Sequence, residues 1–280
     1  MIMRHNELIG SIIDKLKVVD GLQAIVLGGS WASGTQHADS DIDLGLYYNA
    51  DYPLDIQQVR NIAYELNDLP EPVVTDLGGW GRWVNGGAWL TIQGQRVDFL
   101  YRNIDFVSNV IDACNKGEIQ SDYWQQPAYG FHSYIYCAET NICKILYDPG
   151  GIIEALKTKV VQYPQPLKEK IIKDFTWSAQ FTLDVAKKSA RQGDVYFVAG
   201  SLARALSCLV QVLYALNETY FISDKRMYRD VEQFALKPLD FVEKVNRILG
   251  SPGRVQEELE ESLKAVEVLL GEMVALIRHV

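Results

Sequence analysis

The chain has 280 residues, which is enough for two domains of ordinary size. Apolar residues make up 48% and charged residues 22%, a globular composition that excludes a disordered or collagen-like chain. The formal net charge of −9 disfavours a protein that grips the phosphate backbone of a nucleic acid.

The chain opens with a predicted helix and a predicted buried strand. Residues 6–19 carry apolar side chains at helical spacing, with Asn6 as the expected N-cap. Residues 22–27 read LQAIVL, a short apolar run that predicts a buried strand. Residues 44–48 predict a second strand, so two strands flank the segment between them.

A glycine-rich turn directly follows the first strand. Gly28 and Gly29 allow the backbone to approach a ligand closely, and Ser30 adds a hydroxyl beside amide groups. These features predict a phosphate-binding turn. Ser40, just before the second strand, is a further candidate for nucleotide binding.

Two acids stand one residue apart at the start of the second strand. Asp41 and Asp43 project to the same face of an extended strand, whereas Ile42 and Leu44 project to the other face. Two adjacent carboxylates repel each other. Mg²⁺ relieves this repulsion because it takes oxygen ligands, typically one or two carboxylates together with substrate phosphates.

A third acid lies in a predicted hairpin. Residues 89–101 read as two strands that turn near Gly94. Asp98 stands between the apolar Val97 and Phe99, where a lone carboxylate would be costly without a partner. If this strand lies beside the one that carries the two acids, three carboxylates converge, as a two-metal centre requires.

The complete pattern resembles a known superfamily. Gly29-Ser30, Asp41-x-Asp43 after ten further residues, and a distant Asp98 resemble the DNA polymerase β-like nucleotidyltransferases, most closely the small bacterial kanamycin and lincosamide nucleotidyltransferases. The resemblance implies that Gly29 and Ser30 bind the triphosphate. It also implies that Asp41 and Asp43 hold Mg²⁺, with Asp98 as third ligand, as base, or as both.

The same resemblance implies an α+β fold in which a small mixed-sheet domain precedes an all-helical C-terminal domain. We expect the catalytic domain at residues 1–130 and the helical domain, which binds substrate and nucleotide, at residues 131–280. The sequence agrees, since apolar spacing from about residue 150 onward is almost wholly helical. The predicted helices cover about 133–147, 167–192, 195–217 and 238–249, and a last one ends near 278.

Three further features have alternative interpretations. Glu139 corresponds to a helical glutamate that acts as general base in kanamycin-type enzymes, or it is an ordinary paired glutamate. Lys225 either reaches the triphosphate as a point charge or is a solvated loop lysine. Residues 78–89, rich in glycine and tryptophan, form either a mobile aromatic lid or, slightly favoured, a hairpin packed on the core.

These features together predict an Mg²⁺-dependent nucleotidyltransferase. We expect it to move an NMP, with AMP as the expected case, from a nucleoside triphosphate to a hydroxyl of a small-molecule acceptor, without nucleic-acid or membrane partners. The alternatives are an antitoxin-like enzyme that adenylylates a protein, and a nucleotide-binding regulator without turnover. The N-terminus has no signal-peptide pattern and no apolar run reaches about 18 residues, so we expect a cytoplasmic location.

Overall fold

The computed structural model describes residues 2–37, 39–126 and 128–279, and it divides the chain into two compact units. The first unit comprises Met1–Ala113 and Tyr136–Gln162, and the second comprises Cys114–Ile135 and Tyr163–Val280. This division differs from the single boundary expected at residue 130, because each unit includes a segment from the other side of that boundary.

Eight strands and twelve helices are present in the described residues. The strands are β1 (Leu22–Leu27), β2 (Ile42–Tyr48), β3 (Val73–Val74), β4 (Gly87–Ile92), β5 (Gln95–Asn103), β6 (Ser121–Asp122), β7 (Phe131–His132) and β8 (Lys144–Tyr147). The helices are α1 (Ile2–Leu16), α2 (Gly29–Ser33), α3 (Ile56–Leu66), α4 (Gly81–Val84), α5 (Ile104–Asn115), α6 (Ile135–Ile142), α7 (Ile152–Thr158), α8 (Gln165–Arg191), α9 (Val195–Leu216), α10 (Met227–Gln233), α11 (Phe241–Gly250) and α12 (Gln256–Ile277), with a 3₁₀ turn at Asp224–Arg226.

The first unit is built on a six-stranded mixed sheet. Its strand order is β3-β4-β5-β2-β1-β8, in which β2 and β5 are parallel and the other pairs are antiparallel. One face of the sheet is apolar because alternate residues such as Leu44 on β2 and Phe99 on β5 project to it. This face packs against α1 and α3, for example against Ile12 and Val59. The carboxylate side chains therefore belong to the other face.

Three local predictions need correction. The first helix begins at Ile2 instead of at Asn6, and the Gly-Gly-Ser turn continues directly into the one-turn helix α2. The helix predicted over 133–147 is wrong at its end, since α6 stops at Ile142. Residues 144–147 form β8 instead, because this β-branched and aromatic segment pairs with the free edge of β1.

The second unit is helical apart from the short β6–β7 pair. The helix α9 is apolar and long enough to cross a membrane by composition alone, with a mean hydropathy of 1.5, but 56% of that window is buried. Its neighbours α8, α11 and α12 cover it, so α9 is the central helix of this unit. A mixed sheet together with a helical C-terminal region confirms the predicted α+β fold class.

Candidate active site

Asp43 and Asp98 are direct neighbours on the face of the sheet opposite the apolar core. The strands β2 and β5 are parallel, and Asp43 pairs with Asp98 in their register. Adjacent strands lie about 4.8 Å apart, so the two side chains project side by side. The strand that carries Asp98 therefore lies beside the strand that carries Asp43, as convergence of the acids requires.

Asp41 directly precedes β2, and an arginine accompanies it. Its Oδ1 lies 2.6 Å from Nε of Arg96, an ion pair without the geometry of a hydrogen bond, and this buried oxygen accepts no hydrogen bond. Arg96 was missed in the sequence. The signal was available, since Arg96 precedes Asp98 by the two residues that separate Asp41 from Asp43, which places it beside Asp41 in a parallel register.

Burial and mutual repulsion at Asp43 and Asp98 outweigh the positive charge of the nearby arginines. Burial, together with the negative charges of Asp98, Asp41 and Glu139, raises the pKa of Asp43 to about 7, against a smaller opposing effect of Arg102. Burial and Asp41 raise the pKa of Asp98 to about 6, although Arg96 lowers it. A raised carboxylate pKa means that the charged form is disfavoured, which is the state that a bound cation relieves.

The glycine turn lies directly against Asp43. The Gly28 N–H donates a hydrogen bond of 2.8 Å to the Asp43 carbonyl oxygen. Gly29 has a φ of +56°, and a Cβ atom at this position would collide with the Asp43 carboxylate. Ser30 follows in the first turn of α2, where amide groups have no partners within the helix. The predicted phosphate turn and the predicted metal carboxylates therefore form one site.

Two further side chains surround this turn. Ser40 is buried, and its Oγ accepts a hydrogen bond of 2.9 Å from the His37 N–H, so it holds the loop before Asp41. Its role in nucleotide binding stays a prediction. Lys144, at the start of β8, is exposed and donates a hydrogen bond of 3.0 Å to the carbonyl of Trp31 in α2. An ammonium group therefore lies beside the helix that begins at the glycine turn.

Glu139 on α6 lies near enough to affect the charge at Asp43, but an arginine binds its carboxylate. Its Oε2 and Oε1 accept hydrogen bonds of 3.1 Å each from Nε and Nη2 of the buried Arg102. Glu139 still adds to the negative charge at Asp43. To act as a general base it would have to leave Arg102, so its catalytic role stays a prediction.

The remaining candidate residues lie in the second unit and in the 78–89 segment. Lys225 is exposed in the 3₁₀ turn of the second unit, and its contact with triphosphate stays a prediction. In the 78–89 segment Trp83 is buried, as packing on the core requires. Trp80 and Trp89 instead stack on each other with ring centroids 4.1 Å apart, and Trp89 is half exposed. Neither sequence interpretation describes the whole segment.

The carboxylates suit a hard cation such as Mg²⁺. Within residues 2–37, 39–126 and 128–279 no three His, Cys, Asp or Glu side chains are already arranged as a metal site. The donor chemistry nevertheless fits, because Asp43 and Asp98 are paired with raised pKa values and Asp41 has a buried oxygen without a hydrogen bond. Arg96 would have to leave Asp41 before that oxygen could bind a metal ion.

Comparison with known proteins gives two family matches. A family model described as Polymerase beta, Nucleotidyltransferase matches residues 10–76, and one described as Domain of unknown function (DUF4037) matches residues 136–226. No curated protein matches the chain significantly.

Two solved structures are similar in outline. A nucleotidyltransferase-like protein from Exiguobacterium sibiricum is 10% identical with a TM-score of 0.48, covering 91% of this chain and 71% of that one. A complex of CCA-adding enzyme with ATP is 13% identical with a TM-score of 0.27, covering 99% and 81%. Likenesses at these TM-scores carry no inference about activity. The match at residues 10–76, by contrast, contains the glycine turn, Asp41 and Asp43, and it confirms that this segment resembles the polymerase β-like nucleotidyltransferases.

Proposed function

We propose that this protein transfers a nucleoside monophosphate, AMP in the expected case, from a nucleoside triphosphate to a hydroxyl of a small-molecule acceptor. The observation that carries the proposal is the hydrogen bond and close approach between the Gly28–Gly29 backbone and Asp43, which is itself paired with Asp98. A triphosphate bound at this turn would present its phosphates to the carboxylates. The resemblance to kanamycin-type enzymes supports a small molecule as acceptor.

Each residue of the site has a proposed task. Asp41, Asp43 and Asp98 would hold Mg²⁺, which when bound supplies positive charge for the phosphate oxygens. The Gly29 and Ser30 amides and the Ser30 hydroxyl bind the triphosphate, whereas Gly28, whose N–H is bonded to Asp43, lets the backbone come close to it. The ammonium of Lys144 adds positive charge beside α2. Ser40 and Lys225 are proposed as further nucleotide contacts.

The transfer is an in-line displacement at the α-phosphorus. A bond forms from the acceptor oxygen to phosphorus while the bond from phosphorus to the leaving pyrophosphate breaks. The proton of the acceptor hydroxyl passes to a carboxylate oxygen of Asp98. Glu139 is the second candidate for this proton, provided that it leaves Arg102.

A transfer assay with two acceptor pools tests the proposal. ATP or GTP labelled at the α-phosphate is incubated with Mg²⁺ and either the small-molecule or the protein fraction of a bacterial extract. We expect label in the small-molecule fraction with the wild type and with Asp51→Asn, an exposed acid outside the site. We expect a loss of at least about 10²-fold with Asp43→Asn or Asp98→Asn. Label in protein would indicate the antitoxin-like alternative, and binding without transfer would contradict the enzyme proposal.

A further inference from the structure

An exposed tryptophan continues the row of carboxylates across the sheet. Trp89 on β4 pairs with Asp98 on β5, which in turn pairs with Asp43 on β2. The neighbours of Trp89 in β4, Ala88 and Leu90, lie in the apolar core on the other face. Trp89 therefore projects to the same face as the two acids, and 49% of its surface is exposed. Its exposed ring face is available to stack on a ligand beside the two acids.

A second tryptophan holds this side chain in place from one side. The rings of Trp80 and Trp89 are stacked with centroids 4.1 Å apart at an interplanar angle of 29°. Trp80 lies over Gly87, where a Cβ atom would meet its ring at 2.9 Å. The Trp80 N–H also donates a hydrogen bond of 2.9 Å to the Asn85 carbonyl oxygen. The pair is thus a supported aromatic surface, which we term the Trp89 platform.

The geometry of in-line attack on the α-phosphorus indicates that the acceptor binds on the same side of Asp43 as the Trp89 platform. The glycine turn lies on the β1 side of Asp43. If the triphosphate binds this turn as proposed, pyrophosphate would leave toward β1. Attacking and leaving oxygens lie in line on opposite sides of the phosphorus. The acceptor hydroxyl therefore approaches from the β5 side, where Asp98 and then Trp89 follow in the strand order.

We propose that the Trp89 platform, made of Trp89 backed by Trp80, stacks against a ring of the acceptor and so positions its hydroxyl at Asp98. This inference rests on the proposed nucleotidyl transfer and deepens it by naming the acceptor class. Neighbouring strands are about 4.8 Å apart. An acceptor ring that is stacked on Trp89 can therefore place a hydroxyl at Asp98 only if that hydroxyl is attached to the ring or is one bond away from it. The acceptor is thus a cyclic alcohol with an apolar ring face, either a sugar ring or an aryl ring.

Binding of three simple probes tests the inference without requiring turnover. Methyl β-D-glucopyranoside carries a sugar ring, 4-nitrophenyl β-D-glucopyranoside adds an aryl ring, and glycerol is an acyclic polyol. Their dissociation constants are measured by ligand-observed NMR, both with and without Mg²⁺ and α,β-methylene-ATP, an analogue that cannot release pyrophosphate. We expect at least one ring probe to bind the wild type more tightly than glycerol, and comparison of the two distinguishes sugar from aryl recognition.

Matched variants assign the binding to the platform. We expect Trp89→Ala to weaken binding of the ring probe about tenfold, as loss of a stacking partner does, and Trp89→Phe to restore most of it. Trp124→Ala, which removes a 97% exposed tryptophan from the second unit, should leave binding unchanged. Affinity for Mg²⁺ and α,β-methylene-ATP should be the same in all four proteins, and thermal melts verify that each is folded.

Three results would overturn the inference. Glycerol could bind as tightly as the ring probes, or Trp89→Ala and Trp124→Ala could have equal effects. Trp89→Ala could also lose affinity for the nucleotide analogue, which would assign the platform to the nucleobase. A wild type that binds a ring probe through Trp89 but never binds the nucleotide analogue would instead contradict the proposed function, so the two failures are distinguishable.

Discussion

Asp43 connects the electrostatics of the site with the stability of the fold. Its pKa is raised to about 7 in the folded protein, compared with an ordinary value of 3.8, chiefly because it is buried near other acids. Between these two pH values the folded protein holds a proton that the unfolded chain has released. Without a metal ion, the contribution of Asp43 to the free energy of unfolding therefore falls as the pH rises from about 4 to about 7.

The first prediction concerns the Asp43→Asn variant in chelator. It removes the charge that is disfavoured in the folded state, so the variant should be more stable than the wild type at pH 8, by on the order of 2 kcal/mol. The difference should be largely lost near pH 4, where Asp43 is protonated in the folded state and about half protonated in the unfolded chain. Urea unfolding at pH 4, 6 and 8 measures it, with Asp51→Asn as control. A variant that is less stable at every pH would show that Asp43 supports the fold.

The second prediction concerns Arg96, whose guanidinium lies where a cation would contact Asp41. The arginine is largely exposed, so the ion pair contributes little to stability, within about 1 kcal/mol. Arg96→Gln leaves Asp41 without this competitor. We therefore expect Mg²⁺ to bind about three- to tenfold more tightly, as measured by calorimetry. Weaker Mg²⁺ binding would mean that Arg96 instead helps to orient the carboxylate ligands.

At the scale of elements, two adjacent residues of the short helix α2 have different roles. One residue is needed for the fold, and the other is available to a ligand. Gly29 has a positive φ and no room for a Cβ atom beside Asp43, whereas Ser30 is a half-exposed helical residue. The helix therefore depends on the glycine for its geometry. The serine hydroxyl is available to a ligand.

The third prediction compares substitutions at these two positions. Gly29→Ala should destabilise the protein by about 1–3 kcal/mol through backbone strain and the collision with Asp43. Ser30→Ala should change stability by less than about 0.5 kcal/mol but weaken binding of Mg²⁺ and ATP by about 1.5–3 kcal/mol. Urea unfolding and calorimetry on both variants provide the measurements. If Ser30→Ala binds nucleotide normally, the turn does not contact phosphate through its hydroxyl.

At the scale of the whole molecule, ligand binding should reverse the order of stability found in chelator. Mg²⁺ and ATP at about 100 times the dissociation constant stabilise the wild type by about 2.7 kcal/mol. For a protein of this size that corresponds to a rise in Tm of about 5–10 °C. The fourth prediction is that Asp43→Asn, which lacks a proposed metal ligand, shows little of this rise, whereas Asp51→Asn shows all of it. Equal shifts in thermal melts would contradict the role of Asp43 in binding.

Alternation along the strands was sufficient to predict much of the candidate site. Asp41 and Asp43 share a face because strand residues alternate, and Asp98 opposes Trp89 because the hairpin turns at Gln93-Gly94, midway between them. The helical periodicity after residue 165 likewise predicted α8 and α9 to within two residues. These features depend only on residues that are close together in the chain. A local sequence pattern is therefore enough to predict them.

Only the tertiary structure decided which elements lie side by side. Pairing of β2 with β5, the return of β8 to the edge of β1, and the contacts of Arg96 with Asp41 and of Arg102 with Glu139 join residues 37 to 122 positions apart. Alternation states which face a side chain occupies but not which strand is adjacent, because pairing energy comes from backbone groups that every strand presents alike. The sequence by itself therefore determined the chemical character of this protein, whereas long-range packing determined which charges meet and which remain unpaired.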